Sequence, residues 1–389
     1  MNTEKTRLSY TPINQLPALT WNWLKMNRAT LTVDALPAGG TLTVTGADAC
    51  GVRYSKDGAA LFASLPAMKS GVGTEADAIM QAFAPTPCAL VAEQAMAEAG
   101  ESASVVMRFT LEAGTAQVSQ QAVIAEAGAR LTLIMLYTEK NGAGAAAGAS
   151  CAGSGEACAT ATADAPFHAV QTKLWAKPGS SIHLVKVNLT GASTTALDDT
   201  AFYCEDGASV VVTQLELGGK NVYAGCAATL AGSKSAFKSD TAYSVRAQQL
   251  LDMNYAVYHQ GKATETNMAV KGVVADDAVK VYRGTIDFQR GCAGATGNEQ
   301  EETLLLSPTA VNKSIPVILC DEEDVSGAHG ATIGRLSADE LFYMQSRGIS
   351  ETEAKRMMSR AKIASVAHLI PDESVVQEIE AYLDGMEGV

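Results

Sequence analysis

Residues 205–217 read EDGASVVVTQLEL, and this short stretch carries the pattern that decides the fold. It opens on a glycine corner, Glu205-Asp206-Gly207, and continues into a run rich in β-branched residues with alternating apolar positions. Similar corners precede other strand-like runs: Glu112-Ala113-Gly114, Glu126-Ala127-Gly128, Lys177-Pro178-Gly179 and the looser Ala275-Asp276-Asp277. The repetition predicts one structural unit of turn and strand that recurs along the chain.

Between about residues 104 and 334, the predicted strands follow one another without intervening helices. Imperfect repeats of short strands predict a β-solenoid, in which each strand pairs with its copy one coil away and apolar side chains stack inside. A β-sandwich is the alternative, but hairpin signals such as Asn-Gly are scarce between these strands. We therefore predict a mainly β protein with a parallel β-helix core at residues 101–335.

The N-terminal residues 1–100 are predicted to form a separate α/β unit with one helical run near Glu75 to Phe83. Trp21 and Trp23 are interpreted as anchors of the terminal segment on its own domain, with a partner-docking patch as the alternative. Residues 141–166 are low in complexity and poor in large apolar side chains, which predicts a mobile loop in the core.

The chain after Arg335 changes to helical signals and is predicted to form a small helical domain at residues 336–389. Ser337 with Glu340, and Ser350 with Glu353, have the spacing of two capping boxes, and Gly348 has the position of a helix C-cap. A third helix is predicted after Pro371, with these apolar residues on one face: Val375, Val376, Ile379, Tyr382 and Leu383.

Net charge and the lack of long apolar runs argue against a nucleic-acid-binding protein and a membrane protein. A net charge of −13 argues against nucleic-acid binding, which needs clustered Lys and Arg. No signal-peptide core and no membrane-length apolar run is found in the sequence, so we expect a soluble cytoplasmic protein without a membrane partner.

The eight cysteines contain no C-x-x-C pair, which favours reduced, mostly buried thiols over a disulfide framework or a zinc ribbon. No G-x-x-x-x-G-K-[ST] loop is present, so no nucleotide is expected to bind this chain.

Several motifs in the second half of the chain resemble motifs of a single known protein family. They are Tyr282-Arg283-Gly284, Leu304-Leu305-Leu306-Ser307, the strand led by Pro316, Ala328-His329-Gly330-Ala331-Thr332, and Leu341-Phe342-Tyr343 followed by Ser346-Arg347-Gly348-Ile349. Together they resemble the SufB/SufD family of iron–sulfur cluster assembly proteins, over roughly residues 200–365. The resemblance implies a right-handed parallel β-helix with a helical C-terminal region, which agrees with the strands and caps.

The resemblance also implies a function and partners. The chain is expected to be a non-catalytic scaffold subunit of the SUF machinery, carrying a transient iron–sulfur cluster at a subunit interface. Its core is expected to pair with a SufB-like subunit or with itself, and its C-terminal helices are expected to dock a SufC-type ATPase. The residues implied in these partner contacts are Gln300, Leu304, Phe342, Tyr343 and Arg347, although Arg347 and Gly348 are also explained by helix capping.

His329 is the SufD-type candidate for holding iron, since neutral imidazole suits iron and small neighbours leave room around it. The alternative is a histidine packed or hydrogen-bonded at the subunit seam. SufD proteins often have a cysteine two residues before this histidine, where Gly327 stands here. Cys320 is the nearest substitute ligand, expected on the approach to the same strand, with a buried bystander as the favoured interpretation for it and for Cys292.

Gly330 and Val311 occupy positions where SufB proteins carry glutamate and cysteine, so the resemblance is to SufD. Glu302 departs from the family, which favours asparagine at that position. A β-helix enzyme acting on carbohydrate is the alternative from another class, but the strands are short of the aromatic platforms expected along such a groove. A self-associated subunit that performs both SufB and SufD roles is a third hypothesis.

Overall fold

A computed structural model describes residues 7–20, 25–47, 51–93, 103–140 and 165–385. Trp21, Trp23, Cys151 and Cys158, and nearly all of the predicted 141–166 loop, lie outside these residues, so the predictions about them stay predictions.

The elements have the following bounds. The strands are β1 Arg7–Ile13, β2 Ala29–Asp34, β3 Thr41–Thr45, β4 Val52–Ser55, β5 Cys88–Ala92, β6 Ala103–Leu111, β7 Ala116–Ala125, β8 Arg130–Glu139, β9 Phe167–Ala176, β10 Ser181–Asn188, β11 Thr195–Cys204, β12 Ser209–Glu216, β13 Asn221–Leu230, β14 Ala236–Val245, β15 Leu250–His259, β16 Glu265–Val274, β17 Val279–Phe288, β18 Ala295–Leu305, β19 Val311–Cys320 and β20 Val325–Arg335. The helices are α1 Ala59–Ser64, α2 Thr74–Phe83, α3 Ala338–Ser346, α4 Glu351–Ala367 and α5 Glu373–Gly385.

The core is a parallel β-solenoid of about 7 turns, which confirms the predicted fold class. Consecutive strands alternate between two nine-stranded sheets. Sheet 1 has the order β20-β18-β16-β14-β12-β10-β8-β6-β3, and sheet 2 has the order β19-β17-β15-β13-β11-β9-β7-β5-β4. Strands β6 to β20 pair in parallel with in-register partners one coil away, whereas β3 and β4 add to the sheets in antiparallel orientation. Parallel pairing excludes the sandwich alternative, which is built of antiparallel strands.

The predicted corners form the bends between strands. Gly114, Gly128, Gly179 and Gly207 all have positive φ, and Asp276 takes the same left-handed conformation in the looser copy. Glycine is favoured there because it has no Cβ to clash with the backbone. Corners also hydrogen-bond to the next coil, as the Gly179 N–H does to the Asp206 carbonyl at 2.8 Å. The repeated sequence unit is therefore one bend and one strand of each coil.

Each sheet buries its inward face in the largely apolar interior of the solenoid, and other elements of the chain pack on the outer faces. α4 and α5 pack on the outside of sheet 1, where Ile363 and Ile379 contact a cluster that includes Val185 and Leu215. β1, β2 and α2 pack on the outside of sheet 2 around Leu197. The apolar stripe predicted for α5 is thus used within the chain, because Val375 and Ile379 are buried there. No helix among the described residues is long and apolar enough to span a membrane.

Candidate functional site

The last coil leaves the solenoid open at its C-terminal end. β19 and β20 are the terminal strands of the two sheets, so each is paired on one side only. β20 is exposed along almost its whole length, in contrast with the buried strands of the coils beneath it. Inward-facing side chains of the last two coils therefore lie at or just below an open mouth.

His329 lies in the middle of β20 and is exposed. Strand alternation places it on the inward face together with Gly327, where an added Cβ would lie 3.0 Å from the Phe288 ring in the interior. Its in-register partner on β18 is Glu299. His329 thus stands at the mouth, one strand above Glu299, a residue that sequence analysis did not single out.

Cys320 differs from its predicted placement in its exposure to solvent. It is the last residue of β19, in the sheet opposite His329, and it is exposed, with its thiol 3.1 Å from the Glu322 carbonyl. The expectation that it is buried is wrong, because no further coil covers the end of β19. Cys292, one coil below, is fully buried as expected.

A buried charged cluster fills the interior just below the mouth. Lys280 on β17 forms an ion pair with Glu301 on β18, and both side chains are almost completely buried. Ser314 on β19 donates to the other carboxylate oxygen of Glu301. Thr303 donates to Glu301 at 3.1 Å and also hydrogen-bonds to Tyr243. Burial lowers the pKa of Lys280, and the adjacent Glu301 opposes that shift.

Glu299 belongs to the same interior but has no ion-pair partner among the described residues. Its side chain spans the solenoid to Gly284 on β17, where an added Cβ would lie 2.6 Å from Oε2 and closer still to Oε1. Burial, and then repulsion by Glu301, raise the pKa of Glu299 to about 7, against smaller lowering effects of Tyr282 and Lys280. The Tyr282 hydroxyl is near enough to the Glu299 carboxyl to lower its pKa by hydrogen bonding, although neither the hydroxyl nor Glu299 Oε2 has a hydrogen bond of good geometry.

The remaining candidates lie on two other surfaces. Gln300 is exposed on the outward face of β18, whereas Leu304 is 8% exposed and packs with Leu306 and Met358. On α3, Phe342 and Tyr343 are 73% and 61% exposed.

The C-terminal end of α3 bears out the capping interpretation. Gly348 has φ +84°, and its N–H donates to the Gln345 carbonyl at 2.9 Å. The Arg347 guanidinium lies 5.3 Å from the Tyr343 ring centroid. Ser337 forms the full capping box with Glu340, while Ser350 caps α4 and the Glu353 side chain bonds to Arg356 instead.

Two of the other histidines, His259 and His183, hydrogen-bond to threonine side chains within the fold. His259 is buried between Thr264 and Thr266, and burial lowers its pKa to about 4. His183 on the outer wall hydrogen-bonds to Thr213. Within the part of the chain that the structure describes, no group of three or more His, Cys, Asp or Glu side chains is arranged to hold a metal ion. The described residues therefore supply at most part of a coordination sphere at the mouth.

Comparison with known proteins agrees with this architecture. The profile of the family described as "SUF system FeS cluster assembly, SufBD core domain" matches residues 107–362, well over half of the chain. The chain belongs to the SufB/SufD family. The matched range includes His329, the buried cluster below it and all of α3, which places the mouth of the solenoid inside the SufB/SufD core.

Curated SufB/SufD relatives match over a shorter stretch. The iron–sulfur cluster assembly protein SufD of Bacillus subtilis is 30% identical over 139 residues, 36% of this chain and 32% of that protein. A SufBD family protein of Staphylococcus saprophyticus is 31% identical over 140 residues, 36% of this chain and 30% of that protein. A SufBD family protein of Mycobacterium tuberculosis is 28% identical over 35% of this chain and 16% of its own length. The match thus spans about a third or less of each relative's length.

Proposed function

We propose that this chain is a non-catalytic, SufD-type scaffold subunit of the SUF machinery, which holds a nascent iron–sulfur cluster at the open end of its solenoid. The single observation that carries the proposal is the exposed position of His329 on the terminal strand of a SufB/SufD core. The cluster is cargo in this proposal, and the chain supplies part of its surroundings. Carbohydrate cleavage has no supporting feature in the described residues.

Subunit pairing is proposed to occur through the last coil. β19 and β20 present unpaired backbone edges, and such edges are templates for strand addition by another chain. Val311 and Ile333 add exposed apolar side chains to this end. A SufB-like subunit, or a second copy of this chain, would meet His329 here and complete the partial coordination sphere.

The ATPase-docking surface is proposed to be α3, and not the whole C-terminal region. α3 buries none of its own side chains, whereas α4 and α5 are occupied in covering sheet 1. Large exposed aromatic side chains are frequent anchors of protein interfaces. Phe342 and Tyr343 therefore provide a contact patch for a SufC-type ATPase.

Co-expression with a SufC-type ATPase, followed by affinity capture, tests this docking surface. The double variant Phe342→Ser/Tyr343→Ser should lose at least tenfold in affinity and keep its melting temperature, because neither side chain is packed in the fold. The matched control is Met357→Ser, which changes a 46% exposed side chain on α4. Capture of the double variant at the level of the control would overturn the assignment to α3. Truncation at Arg335 is a poorer test, because it also uncovers the outer face of sheet 1.

Anaerobic cluster reconstitution of the partnered complex tests the role of His329. His329→Ala should lower the yield of cluster and change its absorption spectrum, since an imidazole ligand is lost. His183→Ala, on the outer wall of the solenoid, serves as the control. An unchanged yield and spectrum in His329→Ala would remove this residue from the ligand set.

A further inference from the structure

The N-terminal part of the chain follows the outer face of sheet 2 toward the open end of the solenoid. Asn14 donates to the side chain of Asp252 on β15 at 2.7 Å. One coil further, Arg283 on β17 donates to the Met26 carbonyl at 2.7 Å. Arg283 is almost completely buried and also forms an ion pair with Asp252. These bonds hold the two ends of the segment 14–26 against neighbouring coils.

The segment reaches the terminal strand. Leu16 is buried in a cluster with Val281 on β17 and Ile315 on β19, and Val279 packs against the same cluster. Val279 and Val281 are the first and third residues of β17, so the segment lies over the first half of the last strands of sheet 2. Three residues span at most about 11 Å, so Leu19 lies close to the unpaired edge of β19.

The loop around Leu19 is held by hydrogen bonds at its base. The Asn27 side chain accepts from the Thr20 N–H and hydroxyl, both at 2.7 Å, and donates to the Thr20 carbonyl at 3.0 Å. The Leu16 N–H donates to the Asn27 carbonyl at 2.9 Å. Within this frame Leu19 is 63% exposed. An exposed apolar side chain on a preorganised loop fits a protein contact, because little conformational entropy is lost when a partner covers it.

Charge identifies what could face this loop. Residues 15–20 and 25–28, here called the end loop, contain the exposed Lys25 and Arg28 and no acidic residue. The corner that follows β19, residues 321–324, reads DEED. A two-fold axis perpendicular to a strand reverses its direction, so an edge strand that pairs with its own copy runs antiparallel to it. The half of β19 under the end loop of one subunit then faces the acidic corner of the other.

We propose that the end loop forms part of an interface between two copies of this chain, where it contacts the acidic corner of the facing subunit. Leu19 supplies apolar contact, and Lys25 and Arg28 supply charge of opposite sign to the corner. The contact occurs twice in the pair, because a two-fold interface is isologous. Val311, exposed on β19, lies on the same terminal strand.

This inference rests on the proposed pairing through the last coil and adds a second surface to it. The end loop precedes residues 107–362, which the family profile matches. Membership of the SufB/SufD family therefore does not supply this contact.

Sedimentation equilibrium of the full-length chain tests the proposal by measuring the dimer dissociation constant. Leu19→Asp should raise that constant at least tenfold, because the new carboxylate would face the acidic corner. Its melting temperature should stay unchanged, since Leu19 is 63% exposed. Met357→Asp is the matched control, because it changes a 46% exposed side chain on α4, and it should dimerise like the wild type.

A charge exchange tests which surface the end loop meets. Lys25→Glu/Arg28→Glu should weaken the dimer at least tenfold. Adding Asp321→Lys/Glu323→Lys to the same chain should restore most of the lost affinity, because each subunit then carries both halves of the reversed pair. Failure of the second pair of substitutions to restore any affinity would overturn the assignment to the acidic corner.

The outcomes separate this inference from the proposed function. Wild-type dimerisation in Leu19→Asp, together with weaker dimerisation in Val311→Asp, would overturn the inference and leave the proposed pairing through the last coil intact. Wild-type dimerisation in both variants would overturn both. A wild-type chain that stays monomeric would overturn the inference alone, because the proposed function also allows a SufB-like partner.

A second measurement uses the wild-type chain and does not depend on any variant. A mixture of isotope-labelled and unlabelled chains is treated with a water-soluble carbodiimide, which joins lysine amines to carboxylates in contact. Mass spectrometry should detect peptides that link Lys25 to residues 321–324 and combine a labelled with an unlabelled chain. Crosslinks to this corner that never combine the two chains, or crosslinks of Lys25 to other carboxylates only, would overturn the inference.

Discussion

Replacement of Gly284 by alanine should disturb the mouth through Glu299, whose carboxyl atoms are the three nearest to the added Cβ. The new Cβ would stand 2.6 Å from Glu299 Oε2 and closer to the rest of the carboxyl group, whereas ordinary contacts begin at 3.4 Å. The carboxyl head must therefore move by roughly 1 Å, in an interior where close packing leaves little free space. Since Glu299 is 2% exposed, it cannot turn out into solvent. Overpacking of this kind costs about 1–3 kcal/mol of unfolding free energy.

Urea denaturation measures this cost, followed by circular dichroism and by intrinsic fluorescence. Unfolding free energies are compared only for variants whose circular-dichroism and fluorescence transitions coincide. This condition is needed because a repetitive fold can unfold in parts. Gly330→Ala is the control, since an added Cβ there meets nothing within 4 Å, and it should change stability by less than about 0.5 kcal/mol or raise it slightly.

A double variant separates the steric cause from other effects of the substitution. In a Glu299→Ala background the carboxyl group is gone, so Gly284→Ala should lose most of its cost. The reasoning is refuted if Gly284→Ala is as harmless as Gly330→Ala, or if its cost is the same with and without the Glu299 side chain.

Three further predictions concern charged groups. Lys280→Met should destabilise the fold by about 3–5 kcal/mol, because it leaves Glu301 without its counter-ion. The double variant Lys280→Met/Glu301→Gln should recover most of that loss in the same urea assay. Equal denaturation midpoints for the single and double variants would contradict this prediction. Burial raises the pKa of Glu216 to about 7, so the folded state holds a proton that the unfolded state releases above its lower pKa. Wild-type stability should therefore fall relative to Glu216→Gln as pH rises from about 4.5 to 7, and a constant difference across that window would count against it. Arg108→Ala removes a bidentate bond to Glu378 on α5 but should cost no more than about 1 kcal/mol, with a smaller cost in 1 M salt, because both groups are partly exposed.

Structural features that depend on residues close together in the chain were predictable from the sequence. The glycine corners required left-handed backbone, and Gly128, Gly179 and Gly207 have it. The cap at Ser337 and the end of α3 at Gly348 followed from side-chain and backbone hydrogen bonds within one helical turn. The motifs around His329 predicted the SufB/SufD family, which the profile match confirms.

The site at the mouth was only partly predictable. His329 was recognised by its motif, but Glu299 was not, because residues 298–302 read NEQEE and place acidic side chains at both inward and outward positions. Coil stacking turns Glu299 and Glu301 inward and leaves Glu302 on the outside, bonded to Lys362. Likewise, Cys320 is exposed only because the solenoid stops one strand later.

The sequence by itself determined the repeating turn and strand, the helix caps and the family, since each depends on residues close together in the chain. Only the tertiary structure decided which side chains share the interior of the last coils, where Lys280 from β17 meets Glu299 and Glu301 from β18. The physical reason is that either set of alternate residues along a strand could face inward. The register with the neighbouring coils selects which set does.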